Sequence, residues 1–266
     1  MEEHIYQSSR GEVHYWLSKS LDNGKKTLIF LHGLTADHTL FDKQVEFFKS
    51  RNNLIVWDAP AHGKSRPYTD FTYSNAAEDL KNILDENGIL SAVFIGQSMG
   101  GYITQSFLLH YPQIVSAFVS IDSCPYGESY YSKSDKWWLR QVEWMAHLYP
   151  LNAMKKAIAK QCTTTKYSFS SMLTMLEPYK KHELCHLMGI GYAGFLEDNC
   201  DLKIPCPTLL LAGEGDKTGK VLSYNRAWAE KTGFPLHLIE HAAHNSNADN
   251  PEAVNKEIDL FLGQIR

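Results

Sequence analysis

The sequence predicts an α/β fold: a mostly parallel central sheet flanked by helices and interrupted by a helical insertion. Three observations predict it. Short apolar strand signals alternate with helix signals along most of the 266 residues, the pattern of a parallel sheet covered on both faces. One strand signal, Ala92-Val93-Phe94-Ile95, runs into Gly96-Gln97-Ser98-Met99-Gly100 and then into a helix-like stretch. That is a sharp strand-to-helix turn with a serine at its apex, where small flanking residues are needed to avoid backbone collisions. Residues 125–200 contain no strand pattern and hold Trp137, Trp138, Trp144, Met145, Met172, Met175, Met188 and Phe195.

Taken in order, residues 4–7 and 13–17 flank Arg10-Gly11 as an opening hairpin. Residues 27–31 and 54–57 are short apolar strands, with a helix over 41–48 between them. Apolar positions at helical spacing predict a helix over 73–87 that stops at Gly88. The strand 92–95 leads to the serine, followed by a helix over 102–110 closed by Pro112. Strands at 117–121, 208–211 and 236–239 complete the sheet, with helices over 221–231 and 251–261. Residues 1–124 and 201–266 thus form the core domain, and 125–200 a helical cap inserted after the sixth strand. A cap there hangs over the carboxyl ends of the strands, where open α/β sheets bind ligands.

A chain of this length fits one large domain or a domain with an insertion. Its apolar content of 44% and aromatic content of 12% allow a sizeable core. The net charge of -4 gives no reason to expect a nucleic acid or an anionic membrane as partner. Met1-Glu2-Glu3-His4 lacks the basic region and apolar run of a signal peptide, and no apolar stretch approaches the roughly 20 residues that span a bilayer. The five cysteines are odd in number and lack C-x-x-C, as expected of reduced thiols in a cytoplasmic protein. The oligomeric state stays open.

A serine hydroxyl needs a base within hydrogen-bond reach, and the base needs an orienting acid. His244 is the candidate base, in a polar loop after the strand 236–239, and Asp216 the candidate acid, after the strand 208–211. Ser98, Asp216 and His244 each follow a strand, in that chain order. Backbone N–H groups should hold the oxyanion: that of Met99, after the nucleophile, and that of Leu34, in His32-Gly33-Leu34 after the strand 27–31.

These pieces together resemble the α/β-hydrolase superfamily, in its capped serine esterase-like branch. The matching segments are Leu31-His32-Gly33, the run from Trp57 to Ser65, Gly96-Gln97-Ser98-Met99-Gly100-Gly101, Gly213-Glu214-Gly215-Asp216, and His244 with Asn250-Pro251-Glu252. One residue departs from the pattern: Ala61 stands where the family usually shows a glycine. The resemblance implies the α/β-hydrolase fold and a hydrolase that uses no metal and no organic cofactor. The expected substrate is a small to medium, fairly apolar carboxylic ester. The same residues could serve carbon–carbon bond hydrolysis, acyl transfer or lyase chemistry, or a ligand sensor with vestigial turnover.

Asp122, at the end of the strand 117–121, rivals Asp216 as the acid, because in some relatives the acid sits on that strand. Asp58 belongs by resemblance to a structural turn with His62 and Ser65. His241 is read as structural, and His32 and His62 as lining the site or bracing loops. Tyr126, Tyr130 and Tyr131 at the start of the cap could offer ring surface and hydroxyls. The expected substrate contacts are His32, Tyr126, Trp138, Trp144 and Met188. His182-Glu183-Leu184-Cys185-His186 matches the zinc-protease pattern H-E-x-x-H. Tyr192 stands where that pattern places its third ligand, so the expectation is no metal.

Overall fold

The computed structural model describes residues 1–265. The strands are β1 (Glu2–Ser8), β2 (Gly11–Leu17), β3 (Thr27–Leu31), β4 (Asn53–Trp57), β5 (Ala92–Gln97), β6 (Val115–Ile121), β7 (Thr208–Gly213) and β8 (Leu236–Ile239). They form one sheet in the order β1-β2-β4-β3-β5-β6-β7-β8. The hairpin β1–β2 is antiparallel and joins β4 antiparallel at one edge. From β4 to β8 every neighbouring pair is parallel.

The helices are α1 (Asp42–Phe48), α2 (Tyr73–Glu86), α3 (Met99–His110), α4 (Lys133–Leu139), α5 (Val142–His147), α6 (Leu151–Cys162), α7 (Lys166–Leu176), α8 (Lys181–Asp198), α9 (Val221–Thr232), α10 (Ser246–Asp249) and α11 (Pro251–Gln264). Strands β4, β5 and β7 are buried along their whole length, as befits strands covered on both faces. Successive side chains divide between the two faces. Ile29 and Leu31 pack with Phe94, Phe118 and the inner sides of α2, α3 and α9. Leu28 and Phe30 pack with Phe41, Phe48 and α11. Local capping fixes where helices begin. Thr72 accepts the Asn75 N–H at 2.9 Å ahead of α2, and Pro251 takes the first turn of α11 behind the Asn250 cap.

Two sequence expectations shift. The helix after Ser98 begins at Met99 rather than at residue 102. The polar loop that carries His244 closes into the short helix α10. The excursion between β6 and β7 holds α4 to α8 and, among the described residues, no strand. Its two ends meet where the Gly127 N–H donates to Asn199 Oδ1 at 2.7 Å. Met154, Met172, Met175, Leu176, Leu184 and Leu187 form its own apolar cluster, which closes against Ala36, Leu40 and Ala248. None of the described helices is long and apolar enough to cross a membrane.

The loop after β4 carries the departure at Ala61, whose φ is +65°. Its N–H donates to the Ser65 carbonyl at 3.0 Å, so the turn is retained without glycine. A left-handed conformation costs a non-glycine residue about 1–2 kcal/mol. Ala61→Gly is therefore expected to stabilise the fold by about 0.5–1 kcal/mol after the extra entropy of the unfolded chain is subtracted. For a chain of this size that is a rise of about 2 °C in Tm, measurable by calorimetry.

Candidate active site

The turn at Ser98 is built by close approach. Ser98 has φ 48° and ψ -111°, a conformation that the surroundings must enforce. A Cβ on Gly100 would lie 1.9 Å from the Leu31 carbonyl oxygen, and one on Gly101 2.3 Å from Ser123 Oγ. A Cβ on Gly96 would lie 2.5 Å from the Gly100 backbone. The glycines let α3 press directly on β3 and the end of β6. Gly100 and Gly101 are part of the helix, which starts immediately after Ser98, and Gly96 belongs to β5.

Ser98, His244 and Asp216 meet at the carboxyl ends of β5, β8 and β7. His244 Nε2 lies 2.8 Å from Ser98 Oγ, and Nδ1 lies 2.8 Å from Asp216 Oδ2. An ionised Asp216 can only accept, so Nδ1 carries the proton and Nε2 is free to receive one from Ser98. Asp216 Oδ1 accepts the Thr218 N–H at 2.7 Å. Burial disfavours the imidazolium of His244, but the Asp216 carboxylate outweighs it and raises the histidine pKa above its ordinary value. Burial likewise opposes the Asp216 charge, and His244 outweighs it and holds the carboxyl below its ordinary range. The two shifts agree in sense, as an ion pair requires.

Asp122 does not reach the imidazole. Its carboxylate accepts from Gly213 N–H at 2.6 Å and from Ser246 N–H at 3.0 Å. Burial pushes its pKa up to about 7. Sequence reading passed over Gln97, whose Nε2 donates to the His244 carbonyl at 2.7 Å. It also passed over Asp249, which accepts from Ala243 N–H and Thr164 N–H at 2.9 Å each and ties the histidine loop to the start of α7. Both lie near a motif, but nothing in their spacing marks a partner so distant in sequence.

The loop after β3 comes up against the nucleophile: a Cβ on Gly33 would lie 3.2 Å from Ser98 Cβ. Thr35 follows with φ +65°. Leu34 and Met99 line the same cavity as Ser98. Among the described residues neither N–H makes a backbone hydrogen bond, so both are free to donate.

The cavity above Ser98 holds about 430 Å³. Trp138 from α4 and Met188 from α8 are among its lining residues. Three expected contacts lie elsewhere. His32 is fully buried beneath the loop, its Nδ1 donating to the Gly33 carbonyl at 2.8 Å and its Nε2 accepting the Ala59 N–H at 2.9 Å. It braces the turn and lines nothing. Tyr126 is sealed in an aromatic stack with Tyr102 and Phe195. Trp144 projects outward, 64% exposed. The face that α8 does present is Met188, Gly191, Tyr192 and Phe195. The spacing i, i+3, i+4, i+7 marks one helical stripe and was there to be read.

Other histidines take no part in the hydrogen-bonded chain of Ser98, His244 and Asp216. His62 donates from Nδ1 to the Pro60 carbonyl at 2.9 Å, and burial lowers its pKa to about 3. The Asp58 carboxylate takes the His38 N–H at 2.8 Å and the Lys64 N–H at 2.7 Å, while its carbonyl takes the Ser65 hydroxyl at 2.7 Å. His241 is exposed, and its carbonyl accepts the Thr164 hydroxyl at 2.6 Å. In the H-E-x-x-H segment Glu183 accepts the Lys180 N–H at 3.0 Å and His186 faces Glu143 at 3.2 Å. Tyr192 turns instead into the cavity.

Comparison with known proteins identifies the family of the fold. A family model described as the alpha/beta hydrolase fold matches residues 26–181. The uncharacterized hydrolase YugF of Bacillus subtilis is 24% identical over 256 residues, 90% of each chain. A 3-oxoadipate enol-lactonase of Acinetobacter baylyi is 24% identical over 250 residues, 90% of this chain and 89% of its own. Among solved structures, a hydrolase from Pseudomonas aeruginosa superposes with a TM-score of 0.82 at 21% identity, covering 98% of each chain. An esterase from Thermogutta terrifontis superposes with 0.80 at 18%, covering 99% of each. Matched by that model over more than half its length, the chain belongs to the alpha/beta hydrolase fold family.

Proposed function

We propose that the protein is a serine hydrolase that cleaves a small to medium, largely apolar carboxylic ester through an acyl-enzyme, with residues 125–200 as its cap. The observation that carries the reading is the continuous chain Ser98 Oγ, His244 Nε2, His244 Nδ1, Asp216 Oδ2, with 2.8 Å at each contact, bordering a cavity of about 430 Å³. Ser98 Oγ attacks the ester carbon while His244 takes its proton. The N–H groups of Leu34 and Met99 hold the oxyanion. His244 then gives that proton to the departing alcohol, leaving Ser98 acylated. A water, deprotonated by His244, attacks the acyl carbon, and the proton returns to Ser98 as the acid leaves. The side chains that surround the space, Leu34, Met145, Ile158, Met172 and Met188 among them, favour an apolar acyl or alcohol part. A lactone is an internal ester and would open by the same steps, a reading favoured by the relatives named as enol-lactonases.

The test is a fluorophosphonate probe alongside a panel of linear esters and lactones of graded length. Labelling at Ser98 with turnover of at least one ester class is expected. Absence of labelling on folded protein refutes the proposal. The pH profile follows from His244, which must be neutral to act as base. Because Asp216 raises its pKa, kcat/KM is expected to rise with pH through a midpoint above about 6.5, the ordinary histidine value. A midpoint below that value in a stopped-flow or steady-state profile would contradict the paired geometry.

A further inference from the structure

The end of β6 touches all three loops that carry the proposed triad, and the geometry points to Asp122 as a positioning residue that locks the His244 loop against the Asp216 loop. The inference rests on the serine-hydrolase reading and adds a member to it. The Ile121 carbonyl accepts the Ser98 N–H at 2.8 Å. Ser123 Oγ donates to the Ser98 carbonyl at 2.7 Å. Between them Asp122 is fully buried, with φ +49° in the left-handed region. Such a conformation in a non-glycine residue persists only where the surroundings over-determine it.

The surroundings here are three donors from two segments. Oδ1 receives the Gly213 N–H at 2.6 Å. Oδ2 receives the Ser246 N–H at 3.0 Å and its hydroxyl at 2.6 Å. Gly213 ends β7 and stands just before Asp216 in sequence, and Ser246 opens α10 just after His244. One side chain therefore bridges the segment that brings the acid and the segment that brings the base. Only a carboxylate suits the position. Its two oxygens accept all three donors, whereas an amide would turn an NH₂ group on a buried N–H and leave it unpaired. His244 uses both ring nitrogens on Ser98 and Asp216, so Asp122 acts through the backbone that holds the imidazole, not by touching it. A displacement of about 1 Å at reacting atoms costs on the order of 100-fold in rate, so register between the two loops governs turnover.

The experiment compares the intact chain with Asp122→Asn and Ser246→Ala, counting competent sites by fluorophosphonate titration. For Asp122→Asn, kcat per titrated site is expected to fall about 10–100-fold, with KM changed less than about threefold. The downfield proton resonance of His244 Nδ1–H on Asp216 should shift or broaden. Ser246→Ala, which deletes the hydroxyl donor and keeps the N–H, should move both readouts the same way by less. The inference is overturned if either kcat per site or the resonance stays at its wild-type value, or if the loss is confined to KM. Should Asp122→Asn fail to fold, Ser246→Ala decides alone by the same criteria. Failure of the underlying reading shows differently: Ser98→Ala would then keep ester turnover.

Discussion

Replacing Ser98 with alanine is expected to lower kcat on a p-nitrophenyl ester by roughly 10⁵–10⁶-fold, with KM little changed. That loss corresponds to about 7–8 kcal/mol of transition-state stabilisation. Its size comes from losing the covalent route: without Oγ, His244 has no nucleophile to deprotonate, and only binding and the N–H groups of Leu34 and Met99 remain to favour attack by water. The fold should be nearly unaffected. Alanine meets the same φ of 48° as serine, and the backbone bonds of residue 98 to Ile121 and Ser123 persist. The hydroxyl removed has His244 Nε2 as its partner, and that nitrogen then faces the cavity. The measurement is paired turnover and thermal unfolding on one preparation. Turnover near the wild-type value in a folded Ser98→Ala protein would place the chemistry elsewhere.

What could be read from the sequence was whatever the chain must do locally. The strained turn at Ser98 needs Gly96 and Gly100 beside it, so it announces itself. Asp216 and His244 are candidates because each follows a strand, and a parallel sheet gathers its strand ends at one edge; the structure brings both side chains into hydrogen-bond contact. Local reasoning misled where a residue type has two uses. A helix is expected from residue 102, yet Gly100 and Gly101 already lie in it and allow α3 to touch β3 and Ser123. His32 looked like a site residue because it sits beside the oxyanion loop, but both ring nitrogens are consumed in holding that loop. Trp144 and Trp138 are chemically alike and both largely exposed, and only the way α4 and α5 fold back decides that Trp138 borders the cavity and Trp144 does not. Partners such as Gln97 with the His244 carbonyl join residues 147 apart in sequence, and no periodicity encodes such a contact.

Changing Asp216 to asparagine is expected to cost about 10⁴-fold in kcat, because the amide inverts the hydrogen bonding of the imidazole. An NH₂ group facing Nδ1 favours the tautomer in which Nδ1 accepts and Nε2 carries the proton. That tautomer cannot receive the Ser98 proton, although every atom stays nearly in place. The residual activity should also shift its acidic limb. The Asp216 carboxylate raises the His244 pKa, so removing its charge lowers that pKa and keeps the imidazole neutral to lower pH. The midpoint therefore moves down. Stability follows the same linkage. The lowered Asp216 pKa contributes stability above the ordinary carboxyl value of 3.8, lost as pH falls through the folded-state value. The raised His244 pKa contributes stability below 6.5, lost as pH rises through its folded-state value. The variant's stability deficit should thus be largest between about pH 4 and pH 6.5. Asp122 is not placed to step in, because its oxygens bond Gly213 and Ser246 and neither reaches the imidazole. If Asp216→Asn instead retains turnover within about tenfold while Asp122→Asn falls by thousands, Asp122 is the acid. The imidazole must then rotate toward the end of β6 during the reaction.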